Sequence, residues 1–311
     1  MIDRSKMLIS VITPTYNRAA LLPRLYRSLC DQTCLDFEWI VVDDGSTDNT
    51  KDVMASLTSD NSMMVFSIRY IRKENGGKHT AVNRGVKEAK GQLVMIADDD
   101  DLLPSGAIDI IKKSWTDVDS QPSVGGIAGQ DINKRTGGII GSGLPEEHIL
   151  CNAIDIRYKY HVTGDLKEVF RTDVLREFPF PEIKGEKFCP EQLVWFRIAQ
   201  KYSLFYINKP IYIAEYQTDG LTASITRARM RSPRASMLTY AELSTCRVPF
   251  AVKVKAAINY WRFWYCRRAD TLVPPIARRW YGLRPVGWMM HRRDVVDRCS
   301  AGKGFMPFHG K

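Results

Sequence analysis

Residues 91–104 read GQLVMIADDDDLLP. Leu93 to Ala97 is an apolar run of strand length, and it ends in four consecutive acids, Asp98, Asp99, Asp100 and Asp101. Leu102, Leu103 and Pro104 follow, and a helix is predicted from near Ser105. Four carboxylates at one spot repel one another unless something cationic sits among them. A hard divalent ion is the natural counter-charge, since Mg2+ takes one or two carboxylates together with phosphate oxygens. The plainer alternative is a solvated acidic turn that caps the next helix. The flanking sequence favours the first.

Upstream, residues 7–13 (MLISVIT) form a buried strand by length and β-branching. Pro14 is expected to stop it, and Asn17 to cap a helix carrying Leu21, Leu22, Leu25, Tyr26 and Leu29 at helical spacing. Residues 37–42 (FEWIVV) read as a second buried strand that ends in Asp43-Asp44-Gly45-Ser46. Gly45 allows a tight turn, and Ser46 or Thr47 can cap a helix reaching about Leu57. A third strand over 65–71 meets the loop Lys73-Glu74-Asn75-Gly76-Gly77-Lys78, and a helix over 79–89 follows.

Four alternations of strand and helix with short connections predict a parallel sheet with helices on both faces. Ligands of such sheets bind at the carboxyl ends of the strands. The segments 15–18, 43–46 and 98–101 and the loop 75–78 should therefore share one rim. There Asp98 and Asp100 could hold a metal that neutralises a diphosphate, with Lys78 adding a positive charge. Asp44 could accept hydrogen bonds from a base N–H or a ribose hydroxyl. GxGxxG and GxxxxGK[ST] are both missing from the sequence, which argues against a dinucleotide-binding dehydrogenase and a P-loop.

Downstream, 124–130 reads as a strand, and Gly137, Gly138, Gly141 and Gly143 mark turns. Pro190 precedes Glu191, which opens a helix through Leu193, Val194, Phe196, Ile198 and Tyr202. An acid in the first turn suits the helix dipole, so Glu191 is either that partner or a catalytic base. Strands at 204–207 and 211–214 precede a loop expected over 215–222.

The motifs TPTYNR (13–18), VVDDGSTDNT (41–50), ENGGKHTAVNRG (74–85) and DDDDLLP (98–104) together resemble the family 2 inverting glycosyltransferases of GT-A fold. GEKFCPE (185–191) and EYQTDGLT (215–222) are similar to the bacterial members that build capsule, exopolysaccharide or lipopolysaccharide. The resemblance spans roughly 7–225 and is weaker after Pro104. It implies an α/β GT-A fold, Rossmann-like and mostly parallel, over 1–225, with a nucleotide-binding half (1–104) and an acceptor half (105–225). By the same resemblance Pro14, Thr15 and Tyr16 line the base pocket, and Asp44, with Asp43 behind it, binds uracil or its ribose. Lys78 and Asp99 lie along the donor, Asp98 points to ribose or sugar, and Asp100 takes Mn2+ or Mg2+. Glu191 matches the catalytic base. Relatives often carry two acids there, whereas this chain has Glu191-Gln192, so Asp165 and Glu186 stand as substitutes. The reaction implied is a single displacement from a nucleotide sugar, a UDP-sugar above all, onto a saccharide or lipid-linked acceptor. Its alternatives are a sugar-nucleotide-binding subunit and a nucleotidyltransferase.

Charge is distributed unevenly. Residues 247–311 hold 14 Lys and Arg against 3 Asp and Glu, so this tail carries +11 and the rest of the chain −1, for a formal net charge of +10. The tail also holds four of the seven tryptophans, Trp261, Trp264, Trp280 and Trp288. Phe250, Val254, Ile258, Trp261 and Tyr265 fall on one helical face, with Lys253, Lys255, Arg262 and Arg267 off it. The region 226–311 is thus expected to be a helical, basic, aromatic extension that lies on the inner membrane surface, or else a helical pair packed on the catalytic domain. No nucleic-acid recognition motif accompanies the charge. Seven cysteines without CxxC suggest reduced thiols and a cytoplasmic protein.

Overall fold

The computed structural model describes residues 8–59, 66–215, 221–268 and 272–300. The chain forms two compact units, one made of Met1–Glu182 with Val194–Ala223 and the other of Ile183–Leu193 with Ser224–Lys311.

The first unit is built on the predicted alternation: β1 (Ile9–Thr15), α1 (Leu22–Cys30), β2 (Phe37–Asp43), α2 (Thr50–Ser59), β3 (Ser67–Arg72), α3 (Lys78–Glu88), β4 (Leu93–Ile96) and α4 (Ala107–Thr116). After these come β5 (Val124–Asn133), β6 (His148–Cys151), α5 (Asp155–Tyr158), β7 (Leu166–Arg171), α6 (Thr172–Glu177), α7 (Glu191–Ile198) and β8 (Ser203–Ala214). The eight strands lie in the order β3-β2-β1-β4-β7-β5-β8-β6. The pairs β1–β2, β2–β3, β1–β4 and β5–β8 are parallel, while β7 runs antiparallel between β4 and β5, and β6 antiparallel to β8.

Every residue of β1, β2 and β4 is buried, as a sheet covered on both faces requires. Trp39, Phe37, Ile9, Leu22, Leu25 and Leu29 are among the fully buried side chains. Polar groups in these strands are satisfied: Ser10 Oγ donates to Glu38 Oε1 at 2.7 Å, and Arg69 Nη2 pairs with Glu38 Oε2 at 2.7 Å.

Three expectations change here. Pro14 does not stop β1, which pairs with β2 through Thr15. Pairing of β1 with β4 ends at Ile12, so Pro14 has a strand on one side only and its missing N–H is tolerated. Asn17 does not cap α1. It takes a left-handed φ of 54°, and its Oδ1 accepts from Thr47 N at 2.7 Å, tying the first motif loop to the second. The two strands expected near 204–214 are one strand, β8, whose pairing with β5 shifts register rather than breaking.

The second unit holds α8 (Leu221–Arg231), whose first residues belong to the first unit, then α9 (Pro233–Leu243), α10 (Phe250–Trp264), a 3-10 helix over Arg278–Leu283, and α11 (Arg284–Ser300). Met230, Met237, Ala241, Tyr260, Trp261 and Phe263 form its core. The face predicted for α10 is not the buried one: Ala256, Ala257, Tyr260, Trp261 and Phe263 are buried, while Phe250 is 71% exposed. Trp261 Nε1 donates to Trp280 O at 2.8 Å, and Arg262 forks onto Asp294 of α11 with two bonds of 2.6 Å. A Cβ at Gly287 would stand 2.4 Å from Trp261 Cβ, so only glycine lets α11 come this close. Of the loop expected over 215–222, residues 216–220 lie outside the described residues, and Leu221 onward is helical.

Candidate functional site

The carboxyl ends of β1, β2 and β4 are neighbours in the sheet, so the three motif loops that follow them emerge side by side. Asp43 closes β2. It is 1% exposed and accepts from Tyr70 Oη at 2.5 Å and from Ser46 N at 2.7 Å, which shapes the turn behind Asp44. Asp44, also buried, is held by the 73–77 loop: Lys73 Nζ at 2.7 Å and Gly76 N at 2.9 Å on Oδ1, Gly77 N at 2.7 Å and Asn75 Nδ2 at 3.1 Å on Oδ2. Donors of the chain itself thus fill the carboxylate assigned to the base or ribose, and Asp44 is the pin that fixes the loop bearing Lys78. Gly45, at φ 81°, completes this contact, since a Cβ there would lie 2.9 Å from Asn75 N.

The rim of β1 carries Pro14, Thr15 and Tyr16. Tyr16 is 47% exposed, whereas Thr15 is buried and its hydroxyl donates to Asp99 Oδ2 at 2.7 Å. Arg18 Nη1 bridges Asp99 at 3.0 Å and Asp100 at 2.9 Å. Lys78, the first residue of α3, meets Asp98 at 2.6 Å. Thr15, Arg18 and Lys78 therefore converge on the acid run.

Within that run the acids divide. Asp101 N bonds to Asp98 O at 3.2 Å, a turn that brings positions 98 and 101 together. Carboxylate oxygens of Asp98, Asp100 and Asp101 all lie within 4.8 Å of one another. Asp99, expected along the donor, is 4% exposed and turned toward Thr15 and Arg18; Asp101 joins the open group in its stead. Burial pushes Asp99 up to about 6, against the pull of Thr15 and Arg18. Burial likewise raises Asp101 to about 6, opposed by Lys167 and by Glu215 N, which donates to it at 2.9 Å. Burial acts on Asp98 too, but Lys78, Lys167 and Arg18 outweigh it and hold the carboxyl below its usual range. Three hard oxygen donors at this spacing suit Mg2+ or Mn2+, and Asp98, Asp100 and Asp101 are the residues that would hold one.

Two participants carried no sequence signal. Lys167 on β7 donates from Nζ to Ile96 O at 2.9 Å and sits 3.5 Å from the centre of the Tyr212 ring. Tyr212 Oη accepts from Asp98 N at 2.8 Å. Both residues come from strands far along the chain, so only the sheet order brings them beneath the acids.

Among the proposed bases, Glu191 begins α7 and belongs to the second unit. Glu186 is engaged otherwise: its two oxygens accept from Arg234 N at 2.8 Å and Ala235 N at 2.9 Å, capping the start of α9, so it does not serve as the substitute. Asp165 is exposed just before β7.

A mostly parallel sheet with acidic loops at the strand ends is the GT-A glycosyltransferase architecture. Structures of S. aureus TarS share it: residues 1–349 of that protein, in complex with UDP-GlcNAc, align with a TM-score of 0.61 at 20% identity, over 83% of this chain and 73% of the 1–349 chain. A mannosyltransferase from Pyrobaculum calidifontis, in complex with GDP-Man and Mn2+, aligns with a TM-score of 0.51 at 19% identity, over 96% of this chain and 76% of that one. The family model for glycosyl transferase family 2 matches residues 10–138. The GalNAc(5)-diNAcBac-PP-undecaprenol beta-1,3-glucosyltransferase of Campylobacter jejuni is 28% identical over 230 residues, 72% of this chain and 70% of the relative. Chondroitin synthase of Pasteurella multocida is 36% identical over 108 residues, 35% of this chain and 11% of that enzyme. Residues 10–138 thus match the glycosyl transferase family 2 model, and the fold is the one shared by the GT-A glycosyltransferase structures.

Proposed function

We propose that the protein is a metal-dependent inverting glycosyltransferase that moves a sugar from a UDP-linked donor onto a saccharide or lipid-linked acceptor during surface polysaccharide assembly. The observation that carries this reading is the group Asp98, Asp100 and Asp101 at the sheet rim, with Lys78 and Arg18 beside it. A UDP-GlcNAc complex of a protein with this fold and an undecaprenol-linked relative support the donor and acceptor classes.

A divalent ion bound by these acids would stabilise the charge of the leaving diphosphate. The chain's residues supply the rest. Asp44 fixes the 73–77 loop so that Lys78 stands at the start of α3, next to the acids. Arg18 and Lys78, which stand beside these acids, would offer cations to phosphate oxygens. Tyr16, exposed at the end of β1, offers a ring face to the base. Glu191 is assigned the acceptor proton on its motif match, and attack by the freed oxygen inverts the anomeric centre.

The test is a thermal-shift screen of nucleotide sugars with and without Mn2+, followed by transfer or hydrolysis assays on those that stabilise the protein. A UDP-sugar should raise the melting temperature only with the ion, and Glu191→Gln should abolish transfer while leaving that shift intact. Stabilisation by nucleotide triphosphates in place of nucleotide sugars would favour a nucleotidyltransferase.

A second feature supports work at a membrane. No helix among the described residues is long and apolar enough to cross one. On α11, Gly287 and Asp294 face the core of the second unit. The opposite face presents Trp288 (47% exposed) and Met289 (60% exposed), with Arg292 and Arg293 also exposed. Apolar rings and side chains among arginines fit the interface of an anionic bilayer. This face supports a peripheral seat on the cytoplasmic leaflet, where a lipid-linked acceptor would be met. Flotation with vesicles containing phosphatidylglycerol should carry the protein, and Trp288→Ser with Met289→Ser should release it. Equal flotation of the two sinks the membrane reading.

A further inference from the structure

Arg18 and Lys78 pair directly with acids of the rim. Lys167 is placed differently. Strand β7 runs antiparallel to β4 with Val169 opposite Met95, which sets Lys167 across from position 97, where β4 leaves the sheet and the acid run begins. Its partner on the other side is Gly129 of β5, so no side chain there crowds its stem. Among the described residues its ammonium donates to a carbonyl, Ile96 O. The ammonium rests on the ring of Tyr212, which is 1% exposed and whose hydroxyl reaches both the amide of Asp98 and the carboxylate of Asp101. A cation over an aromatic face is held electrostatically without being neutralised. The charge of Lys167 is accordingly felt by several acids at once, lowering the proton affinity of Asp98, Asp101 and Asp131 alike.

We propose that Lys167 is a positioning residue: a fixed counter-charge, seated on Tyr212, that keeps Asp98 and Asp101 together and sets how strongly the acid cluster takes a divalent cation. The inference rests on the reading of Asp98, Asp100 and Asp101 as the ion-holding group. Three carboxylates so close would bind a free divalent ion strongly and repel one another without it. A built-in positive charge relieves the repulsion and holds down the affinity for the ion alone. The diphosphate of the donor adds the negative charge that restores it, so ion and donor bind as a pair.

The experiment titrates Mn2+ into the full-length protein at pH 8 by calorimetry, alone and with saturating UDP, with circular dichroism to confirm folding. Lys167→Gln keeps a donor for Ile96 O and removes the charge; Lys167→Met serves if that variant does not fold. Loss of the charge should tighten binding of Mn2+ alone by about tenfold and shrink the gain that UDP confers. Lys167→Arg should stay within about twofold of wild type. Tyr212→Phe, which removes the hydroxyl between Asp98 and Asp101, should weaken Mn2+ binding. A neutral variant that folds yet binds Mn2+ no more tightly than wild type overturns the role of Lys167 while leaving the ion-holding group in place. Wild-type protein that takes no Mn2+, with or without UDP, overturns the ion-holding group and this inference together.

Discussion

At the sheet rim, charged side chains are drawn inward and paired: Asp43, Asp44 and Asp99 are all less than 5% exposed, and each is met by named donors. In the C-terminal unit the arrangement is reversed. Its interior is aromatic, around Trp261, Trp280 and Phe263, and most of its arginines stand outside, among them Arg278, Arg279, Arg292 and Arg293. The rim spends its buried polar contacts on fixing loop geometry, as the proposed nucleotide-sugar site requires. The helical unit keeps its charge in water, where it can act on a large surface. Buried charges need specific partners at specific distances, while a solvated charged face works by sum and sign. Point substitutions should therefore be severe at the rim and graded on the helical face.

The largest effect is expected at Asp100. Asp100→Ala removes one of the three open acids without touching the buried ones, and should lower transfer by about a thousandfold with little change in stability. Initial rates at saturating Mn2+, with a melting curve, check both halves. The two tryptophan environments come next. Trp261→Ala should destabilise the C-terminal unit by about 4 kcal/mol, whereas Trp288→Ala should cost less than about 0.5 kcal/mol. Urea unfolding followed by near-ultraviolet circular dichroism separates them, and similar values for the two would break the comparison between a buried and a presented ring.

A smaller effect concerns pH. Burial pushes Asp131 up to about 7 and Glu168 up to about 8, above ordinary values of 3.8 and 4.5. Between those limits the folded chain binds protons that the unfolded chain has released. Stability should accordingly fall as pH rises from about 4 to about 8. Asp131 is 5% exposed and its Oδ1 has no hydrogen-bond partner among the described residues, so Asp131→Asn should flatten part of that slope and raise stability at pH 8 by about 2 kcal/mol. Denaturant melts at pH 5 and pH 8 measure it, and a wild-type protein more stable at pH 8 contradicts the burial argument. The smallest effects lie on α11, where Arg292→Gln and Arg293→Gln should each weaken partition onto anionic vesicles by about 1 kcal/mol. The loss should add across the two and vanish in high salt, which pairing at the rim would not do.

Much of the rim was readable because its residues act locally. Strand, turn and helix alternate at short range in the first 104 residues, and a run such as FEWIVV followed by DDGS announces both a buried strand and the polar turn that ends it. The order of those strands then places their loops together. What escaped was direction within the loops. Consecutive residues of the acid run point different ways: Asp98 and Asp100 stay open as an Asp-x-Asp pair would, whereas Asp99, expected along the donor, turned inward and Asp101 joined the open pair. Asp44 was legible as important, but its engagement by four groups of the 73–77 loop depends on a contact across the sheet. In α10 the apolar residues offer more than one helical stripe, and the choice fell to Ala256, Ala257, Tyr260, Trp261 and Phe263 because α9 and α11 pack there.

The sequence by itself determined the alternating sheet, the acid run at a strand end and the uneven spread of charge, because each follows from side-chain periodicity, turn chemistry or simple counting. Only the tertiary structure decided which acids stay open, that Lys167 and Tyr212 lie beneath them, and which tryptophans are interior. Those outcomes depend on strands and helices distant in the chain meeting at close range, and no local pattern encodes the partner that a side chain will meet.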